Sequence, residues 1–330
     1  MQNLVTGGAG FIGSHLVKAL LERNEKVCVI DDLSTGRIDN ISHLKNEIEF
    51  VHDSVLNKKK TEGLVKASDR IFHLAASVGV DYVLKNPGKT FEVNTKGTEN
   101  IMEYASKYEK RIFLTSSSEV YSSIEKYPLK ESSCPLKNSS QIVLDNYFNL
   151  PFKAYEISKT ICEHIAHLHF SKFGLKVTIG RLFNVSGPNQ TDSFGMVIPI
   201  FVKQAILGQD LTVFGDGNQT RSFIHVLDAV EAIIKITEAK QSIGDVFNIG
   251  LDHEIKITDL AKKIKSITRS KSNINYLRYD KTNRKEFFDV VRRVPDISKM
   301  KSLIDFTPSY GIDKIIQDVH DYITSQTTTL

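Results

Sequence analysis

The stretch TGGAGFIG at residues 6–13 separates two segments of different pattern and decides the fold of the first half of the chain. Leu4-Val5-Thr6 predicts the end of a short buried strand, and residues 11–22 have the spacing of an amphipathic helix. The strand-to-helix turn between them carries three glycines, Gly7, Gly10 and Gly13. Such a turn lets the backbone approach a pyrophosphate closely, and the N-terminus of the helix supplies amide donors and partial positive charge.

An acidic residue follows the next apolar run, residues 26–30, at the carboxyl end of the predicted second strand. The carboxylate of this residue, Asp31, can accept hydrogen bonds from an adenosine ribose and would repel a 2′-phosphate. Asp53, just past the third predicted strand, could either accept a hydrogen bond from an adenine amino group or cap a loop. Strand, glycine turn, helix, strand and acid in this order predict dinucleotide binding and favour NAD over NADP.

Apolar strand-like runs alternate with helical patterns through the first half of the chain, which predicts a parallel sheet covered by helices on both faces. The predicted strands are Gln2–Thr6, Lys26–Ile30, Ile48–His52, Arg70–Ala75, Arg111–Ser116 and Val177–Leu182. The predicted helices are Phe11–Glu22, Thr90–Tyr108 and Pro151–Phe173. We therefore expect an α/β fold, a Rossmann-type doubly wound parallel sheet with a smaller C-terminal α/β lobe.

The pattern of strand-like and helical segments also divides the chain into two expected domains. Residues 1–183 are expected to form the dinucleotide-binding domain, to which a later segment near 222–250 returns. Residues 184–330 are expected to form most of the substrate lobe, because short strands and helices with Gly-rich turns begin after Gly187-Pro188. The polar stretch 121–150 predicts a long surface loop over the site.

Composition excludes several classes of protein. The 330 residues carry a formal net charge of only +4, and the basic residues are scattered apart from the run at 58–60, which argues against a nucleic-acid partner. The three cysteines, Cys28, Cys134 and Cys162, and the ten histidines show no metal-ligand spacing. No apolar run reaches membrane-spanning length, and a strand predicted from residue 2 leaves no room for a signal peptide. We expect a cytoplasmic protein without a metal site.

Tyr155 and Lys159 lie four residues apart on a predicted helix and therefore share one face. An ammonium group beside a phenol favours the phenolate and lowers the phenol pKa, which prepares a general base. Ser117 lies at the end of the fifth predicted strand, and strand carboxyl ends are where open α/β sheets bind ligands. Its hydroxyl could share the proton of a substrate hydroxyl with Tyr155.

Taken together, these motifs resemble the extended short-chain dehydrogenase/reductases of the NAD-dependent sugar-nucleotide epimerase/dehydratase family. The resemblance spans essentially the whole chain and rests on residues 6–13, 73–76, Asn94, 116–121, 155–159, 181–185, 219–223, 247–250 and 292–296. It implies an enzyme that keeps NAD bound and transiently oxidises the C4 hydroxyl of a sugar linked to a nucleoside diphosphate, expected to be UDP. It also implies a homodimer built on helices 90–108 and 151–173.

The resemblance further implies a role for each motif residue. Tyr155 would take the hydroxyl proton, Ser117 would orient the hydroxyl, and Lys159 would bind the nicotinamide ribose. The residues expected to bind the cofactor are Gly7, Gly10, Phe11, Ile12, Gly13, Asp31, Asp32, Asp53, Leu74, Ala75, Ala76, Asn94, Tyr155 and Lys159. The residues expected to bind the substrate are Val80, Ser117, Ser118, Glu119, Asn184, Arg221 and Arg293. His73 and His225, each within an apolar run, are expected to be structural.

Glu119 is expected to be catalytic and to help select the reaction. A ketone at C4 makes a β-keto acid of any C6 carboxylate, and a carboxylate near C5 and C6 can move a proton there. Ser118, Glu119 and Arg293 resemble their counterparts in UDP-glucuronate decarboxylases, and Arg293 could hold a carboxylate or a phosphate. UDP-glucuronate decarboxylation is therefore the favoured reaction.

Other reactions stay open. In a UDP-sugar 4-epimerase Glu119 would be a structural acceptor, and dehydration of a nucleoside-diphosphate hexose is a further alternative. Ser122, where the family usually has glycine, and the long 121–150 loop leave the sugar undetermined. A non-catalytic NAD-sensing protein would be expected to lack Tyr155 or Lys159, and an RNA-binding relative would need a basic surface with interleaved aromatic residues.

Overall fold

The computed structural model describes residues 1–121, 124, 126–133, 153–192, 196–278 and 290–328. Its strands are β1 Gln2–Thr6, β2 Lys26–Asp31, β3 Ile48–His52, β4 Arg70–His73, β5 Arg111–Ser117, β6 Lys176–Leu182, β7 Val185–Ser186, β8 Leu211–Phe214, β9 Thr220–Ser222, β10 Ile224–His225, β11 Val246–Ile249, β12 Glu254–Lys256, β13 Ile274–Leu277 and β14 Arg292–Arg293. Its helices are α1 Phe11–Glu22, α2 Lys58–Ala67, α3 Val80–Lys85, α4 Pro87–Lys107, α5 Lys153–Phe173, α6 Val197–Ile206, α7 Val226–Glu238, α8 Ile257–Ile267, α9 Ser298–Ile304 and α10 Ile312–Thr328.

The largest sheet of the described chain has seven strands in the order β11-β6-β5-β4-β1-β2-β3. Every neighbouring pair in it is parallel. The chain runs outward from β1 in one direction through β2 and β3, and then in the other through β4, β5 and β6. Strand order therefore reverses between β1 and β4, the point at which doubly wound sheets bind ligands. The predicted Rossmann-type fold is confirmed.

Helices cover both faces of this sheet, because each strand is apolar on both sides. On one face α1, α7 and α9 pack against it through Leu16, Val17, Leu20, Val230, Ile233 and Met300. On the other face α2, α4 and α5 pack through Val65, Ile101, Met102, Ala105, Cys162 and Ala166. The segment from α7 to β11 thus adds a helix and an edge strand to the sheet long after the first six strands have been completed.

A second core lies beyond the carboxyl ends of the strands. It is built from α6, α8, α10 and strand β8, and its buried members include Val202, Leu211, Leu260, Ile264, Ile315 and Val319. Strand β8 pairs with β13, and β9 lies between β12 and β14. This arrangement brings β14 over the edge of the large sheet where β5 ends.

Some sequence predictions fall at the edges of these elements or beyond the described chain. Strand β4 ends at His73, before the predicted end at Ala75, and helix α4 begins at Pro87 rather than at Thr90. Most of the predicted 121–150 loop, with Ser122 and Cys134, lies outside the described residues. Within the described ranges, no helix combines the length and hydropathy needed to cross a membrane, and no cluster of three or more metal-ligating side chains occurs.

Candidate active site

A cavity of about 1130 Å³ lies at the carboxyl ends of the sheet strands, between the two cores. Among the described residues, its walls include the glycine turn, the ends of β2, β4 and β5, the start of α5, and the segments around β9 and β14. Every residue that the sequence assigns to the site lines this cavity, with the exception of Asn94. Residues that are far apart in sequence therefore meet where the topology predicts a ligand.

The glycine turn is packed too tightly for side chains. Gly7 has φ +72°, and its N–H donates to the Ile30 carbonyl at 2.8 Å. A Cβ atom on Gly13 would lie 2.1 Å from the Gly7 oxygen, so any larger residue there would push the helix away from the strand. Within the described chain, the N-cap of α1 at Gly10 makes no side-chain hydrogen bond. No side chain at the N-cap therefore occupies the first-turn amides of α1, an arrangement that suits a pyrophosphate.

Asp31 is held rigidly at the end of β2. Its two carboxylate oxygens accept hydrogen bonds from the N–H groups of Ala9 and Leu33, both at 2.9 Å. Burial raises the pKa of Asp31, although these two hydrogen bonds oppose the rise. Each carboxylate oxygen has a second lone pair for a ribose hydroxyl. The residues present at this end of the cavity therefore fit the adenosine part of NAD.

Asp53 makes the contacts of a loop cap. Its carboxylate accepts hydrogen bonds from the Ser54 N–H at 2.7 Å and from Asn57 Nδ2 at 2.8 Å. Since Asp53 also lines the cavity, a contact with adenine stays a prediction beside the capping role.

Asn94 lies behind the cavity wall. Its Oδ1 accepts a hydrogen bond from the Ser77 N–H at 2.8 Å, and its Nδ2 donates to the Ser158 hydroxyl at 2.9 Å. These bonds join the loop after β4 to helix α5 from inside the protein. The structure therefore gives Asn94 a supporting position, in which it holds two cofactor-lining segments together.

Lys159 reaches the cavity from the first turns of α5. Its ammonium donates to the Thr115 carbonyl at 2.8 Å and lies 6.0 Å from the centre of the Tyr155 ring. Ser117 lies close enough to the Tyr155 phenol to lower its pKa, and its hydroxyl oxygen accepts from the Glu119 N–H at 3.2 Å. The predicted group of Tyr155, Ser117 and Lys159 is thus brought together in one place.

The acid–base properties of Tyr155 differ from the prediction. Burial raises the pKa of the phenol, the charge of Glu119 raises it further, and only the hydrogen bond with Ser117 lowers it. Burial also lowers the pKa of Lys159. The prediction that Lys159 lowers the Tyr155 pKa is therefore wrong for this structure, because the ammonium bonds to a carbonyl of β5 and not to the phenol.

Glu119 and Arg293 form a two-contact ion pair at the sugar end of the predicted site. Both terminal nitrogens of Arg293 donate to the carboxylate, Nη1 to Oε1 and Nη2 to Oε2, the latter at 3.1 Å. Burial would raise the pKa of Glu119, but Arg293, with smaller contributions from Arg221 and Lys153, lowers it overall. Glu119 is therefore ionised near neutral pH, and the carboxylate that Arg293 holds in this structure is that of the protein itself.

The remaining predicted substrate residues line the same cavity. Arg221 Nη1 donates to the carbonyls of Thr220 and Val290, both at 2.7 Å. Asn184, with φ +27°, donates to the Ser222 carbonyl at 2.9 Å. Ser118 is buried, and Val80 opens helix α3. These contacts fix the backbone around the cavity and point to no single ligand.

A buried network of polar side chains lies behind Glu119 and was not predicted. Arg181 donates to both carboxylate oxygens of Glu163, at 2.9 and 2.7 Å, and to the Tyr121 hydroxyl at 2.7 Å. Tyr121 donates in turn to Asn248 Oδ1 at 2.7 Å, and Asn248 Nδ2 donates to the carbonyls of Leu129 and Asp296 at 2.9 and 3.1 Å. The network joins the turn that carries Glu119 to the segment that carries Arg293.

Sequence reasoning also missed Lys153 and Glu156, which line the cavity on either side of Tyr155 in sequence. Their opposite charges three residues apart were the available signal.

His73 and His225 are structural, as predicted. His73 bonds to Thr6 and Thr98 at 2.8 and 3.1 Å, and burial lowers its pKa to about 3.

Comparison with known proteins indicates the same family as the sequence motifs. Residues 4–319 match the family described as GDP-mannose 4,6 dehydratase. A UDP-N-acetyl-alpha-D-glucosaminuronate decarboxylase of Bacillus cytotoxicus is 36% identical over 319 residues, which cover 96% of this chain and 95% of that protein. UDP-glucuronic acid decarboxylase 1 of Danio rerio is 33% identical over 318 residues, which cover 95% of this chain and 71% of that protein.

Solved structures show the same fold. A UDP-glucose 4-epimerase from Thermotoga maritima with UDP-glucose has a TM-score of 0.87 and 28% identity, covering 99% of this chain and 100% of that one. A UDP-glucuronic acid 4-epimerase from Bacillus cereus, in complex with UDP-glucuronic acid and NAD, has a TM-score of 0.83 and 28% identity over the same shares. The chain belongs to the extended short-chain dehydrogenase/reductases, within the sugar-nucleotide epimerase/dehydratase family.

Proposed function

We propose that this protein is an NAD-dependent decarboxylase of a UDP-linked uronic acid, with UDP-glucuronate as its preferred substrate. The observation that carries the proposal is the Glu119–Arg293 pair, which faces the same cavity as Tyr155. Two curated relatives that match almost the whole chain are named as decarboxylases of UDP-glucuronate or of its 2-acetamido counterpart, which supports this choice of reaction.

The proposed chemistry gives these cavity-lining residues the roles that the family resemblance implies. Tyr155 takes the proton of the C4 hydroxyl while Ser117 orients that hydroxyl, and Lys159 holds the ribose next to it. When bound, NAD supplies the oxidation at C4 and later returns the hydride. The C4 ketone then accepts the electron pair that the C5–C6 bond releases as carbon dioxide leaves.

Loss of carbon dioxide leaves an enolate that must gain a proton at C5. Glu119 is ionised because Arg293 lowers its pKa, so Glu119 has no proton of its own to give. We assign to it the orientation of a water molecule, which would give one hydrogen bond to Glu119 and its other proton to C5. The hydroxide that this transfer leaves takes a proton from solvent, so that one solvent proton is consumed for each carbon dioxide released. Arg293 keeps the Glu119 carboxylate in place for this step.

The test uses the purified protein and UDP-glucuronate. Mass spectrometry should show a product that has lost one carbon dioxide, and denatured protein should release NAD rather than NADP. A product of unchanged mass with inverted C4 would establish the second candidate, UDP-glucuronate 4-epimerisation, which the Bacillus cereus structure favours. Loss of water, or release mainly of NADP, would contradict the proposal.

We further propose that the protein is a homodimer. We also propose that residues 1–183, with the segment near 222–250, bind NAD and that residues 184–330 form most of the site for the UDP-sugar. Large apolar side chains are exposed on the long helices α4 and α5, among them Phe91 at 39%, Leu168 at 51% and Phe173 at 66%. A stable monomer in light scattering at micromolar concentration would rule out the dimer. The cytoplasmic location stays a prediction for cell fractionation.

A further inference from the structure

A second ion pair lies in the cavity near Glu119 and Arg293. It joins Lys153 and Glu156 in the first turn of helix α5, with Nζ 2.7 Å from Oε2. The side chains are only 21% and 13% exposed, and both residues line the cavity. The charge of Lys153 contributes to the lowered pKa of Glu119, so the ammonium lies close enough to act on a group at the sugar end. The proposed reaction as described above does not use this pair.

A uronic acid brings a carboxylate into this region, and that carboxylate needs a cationic partner once water leaves the site. Arg293 is a poor candidate, because both of its terminal nitrogens already bond to Glu119 and its side chain is only 10% exposed. Moving it would leave Glu119 in the cavity without its partner. Arg221 is engaged with two backbone carbonyls of the segments that form the wall.

Lys153 can change partner at smaller cost. A lysine ammonium is a point charge on a flexible stem with three donors, whereas a paired guanidinium has a fixed geometry. The contact with Glu156 joins a single nitrogen to a single oxygen, so exchange of this partner breaks one contact, whereas exchange at Arg293 breaks two. An incoming carboxylate can therefore replace Glu156 at Lys153 without disturbing Glu119 and Arg293.

We propose that Lys153 recognises the C6 carboxylate of the substrate and that Glu156 holds Lys153 in position until the substrate binds. This inference rests on the proposed function and assigns the residue that selects uronic acids over neutral hexoses. Glu156 also opposes loose binding of other anions, since it remains in the cavity as a competing carboxylate.

The experiment measures binding of UDP-glucuronate and UDP-glucose by calorimetry, because the two ligands differ only at C6. Lys153→Met should weaken UDP-glucuronate binding by roughly ten- to a hundredfold, the usual loss of a hydrogen bond to a charged group, and change UDP-glucose binding by less than about twofold. Lys153→Arg, which keeps the positive charge, should keep most of the difference in binding between UDP-glucuronate and UDP-glucose that Lys153→Met removes. Glu156→Gln should have the opposite effect and tighten UDP-glucuronate binding by roughly two- to fivefold.

If the Lys153–Glu156 pair had only a structural role, each variant would change the binding of both ligands by the same factor. The Lys153 and Glu156 variants would also change it in the same direction. Equal losses for the two ligands with Lys153→Met, no loss for either, or weaker UDP-glucuronate binding with Glu156→Gln would each overturn the inference. NAD content and the Tm in thermal unfolding report whether a variant is folded. Carbon dioxide release by the unaltered protein tests the proposed function separately: without release, a selective loss of UDP-glucuronate binding in Lys153→Met would still support the assignment.

Discussion

In the proposed reaction Tyr155 must lose a proton, although its surroundings disfavour the phenolate. Burial and the Glu119 charge raise its pKa, and only Ser117 counteracts them. The phenolate is therefore scarce before the ligands bind, and a cationic nicotinamide ring next to Tyr155 is the kind of neighbour that would stabilise it. Catalysis at this residue should then depend strongly on the cofactor being in place.

Replacement of the phenol tests this assignment at the scale of one atom. Tyr155→Phe removes the hydroxyl and keeps the ring, so NAD content and thermal stability should stay close to those of the unaltered protein. Turnover of UDP-glucuronate should fall by about 10²- to 10⁴-fold, as loss of a general base usually causes. Carbon dioxide release measures the effect, and near-normal release would refute the role of Tyr155.

Arg293 sets the protonation of Glu119, and the pH profile should reveal it. Burial raises the Glu119 pKa and Arg293 outweighs that effect, so the carboxylate stays ionised until the pH falls below its ordinary range. In Arg293→Met burial is no longer opposed by this partner, and the acid limb of kcat/KM should move to higher pH. The change is measured as the pH at which kcat/KM is halved.

Arg292→Met provides the matched control for that experiment. Arg292 is the neighbour of Arg293 on β14, but its guanidinium bonds to Glu254 at the protein surface, at 3.0 Å from Nε. Its removal should leave the acid limb in place. If the Arg292 and Arg293 variants shift the limb equally, general surface charge and not the Glu119 contact governs the profile.

At the scale of elements, local patterns account for what was predicted correctly. The glycine turn and Asp31 lie within residues 6–31, and apolar runs identify strands β1 to β6 whatever their partners. The pairings missed by prediction link distant segments: Glu119 contacts Arg293 across 174 positions, and Tyr121 contacts Asn248 across 127. Neither contact corresponds to a periodic pattern in the sequence, because each depends on how complete helices and strands pack together.

The prediction of a lowered Tyr155 pKa rested on the spacing of Tyr155 and Lys159. It was wrong because the position of the ammonium also depends on how complete elements pack. Four residues on a helix bring Lys159 near Tyr155, but the ammonium is drawn to the Thr115 carbonyl of a strand that the helix packs against. Likewise Asn94 matches the family motif in sequence, yet its partners Ser77 and Ser158 place it behind the wall. Burial and competing partners are properties of the tertiary structure.

The buried network behind Glu119 should stabilise the turn and strand that carry the site. Tyr121→Phe would remove the hydroxyl that joins Arg181 to Asn248 and leave both buried groups short of a partner. We expect the free energy of unfolding to fall by about 1–3 kcal/mol, with a lower Tm in thermal unfolding. Tyr276→Phe is the control, because Tyr276 is 52% exposed. Equal effects of the two variants would contradict a stabilising network.

At the scale of the molecule, one cavity extends from the glycine turn to β14 and is shared by both cores. Helix α7 and strand β11 anchor the later part of the chain to the first sheet. A ligand that reaches from Asp31 to Arg221 would therefore contact segments from both halves of the chain. One site that holds both ligands suits a reaction in which a hydride leaves the sugar and returns to it.

This closed cycle predicts where solvent hydrogen enters the product. In deuterium oxide, UDP-glucuronate should yield a decarboxylated sugar with deuterium at C5, because the proton that replaces carbon dioxide comes from a water molecule beside Glu119. C4 should keep its original hydrogen, since the hydride is held by the enzyme throughout. Proton NMR distinguishes the two positions. Deuterium at C4 would mean exchange of the hydride with solvent, and absence of deuterium from both positions would mean that the C5–C6 bond is never broken.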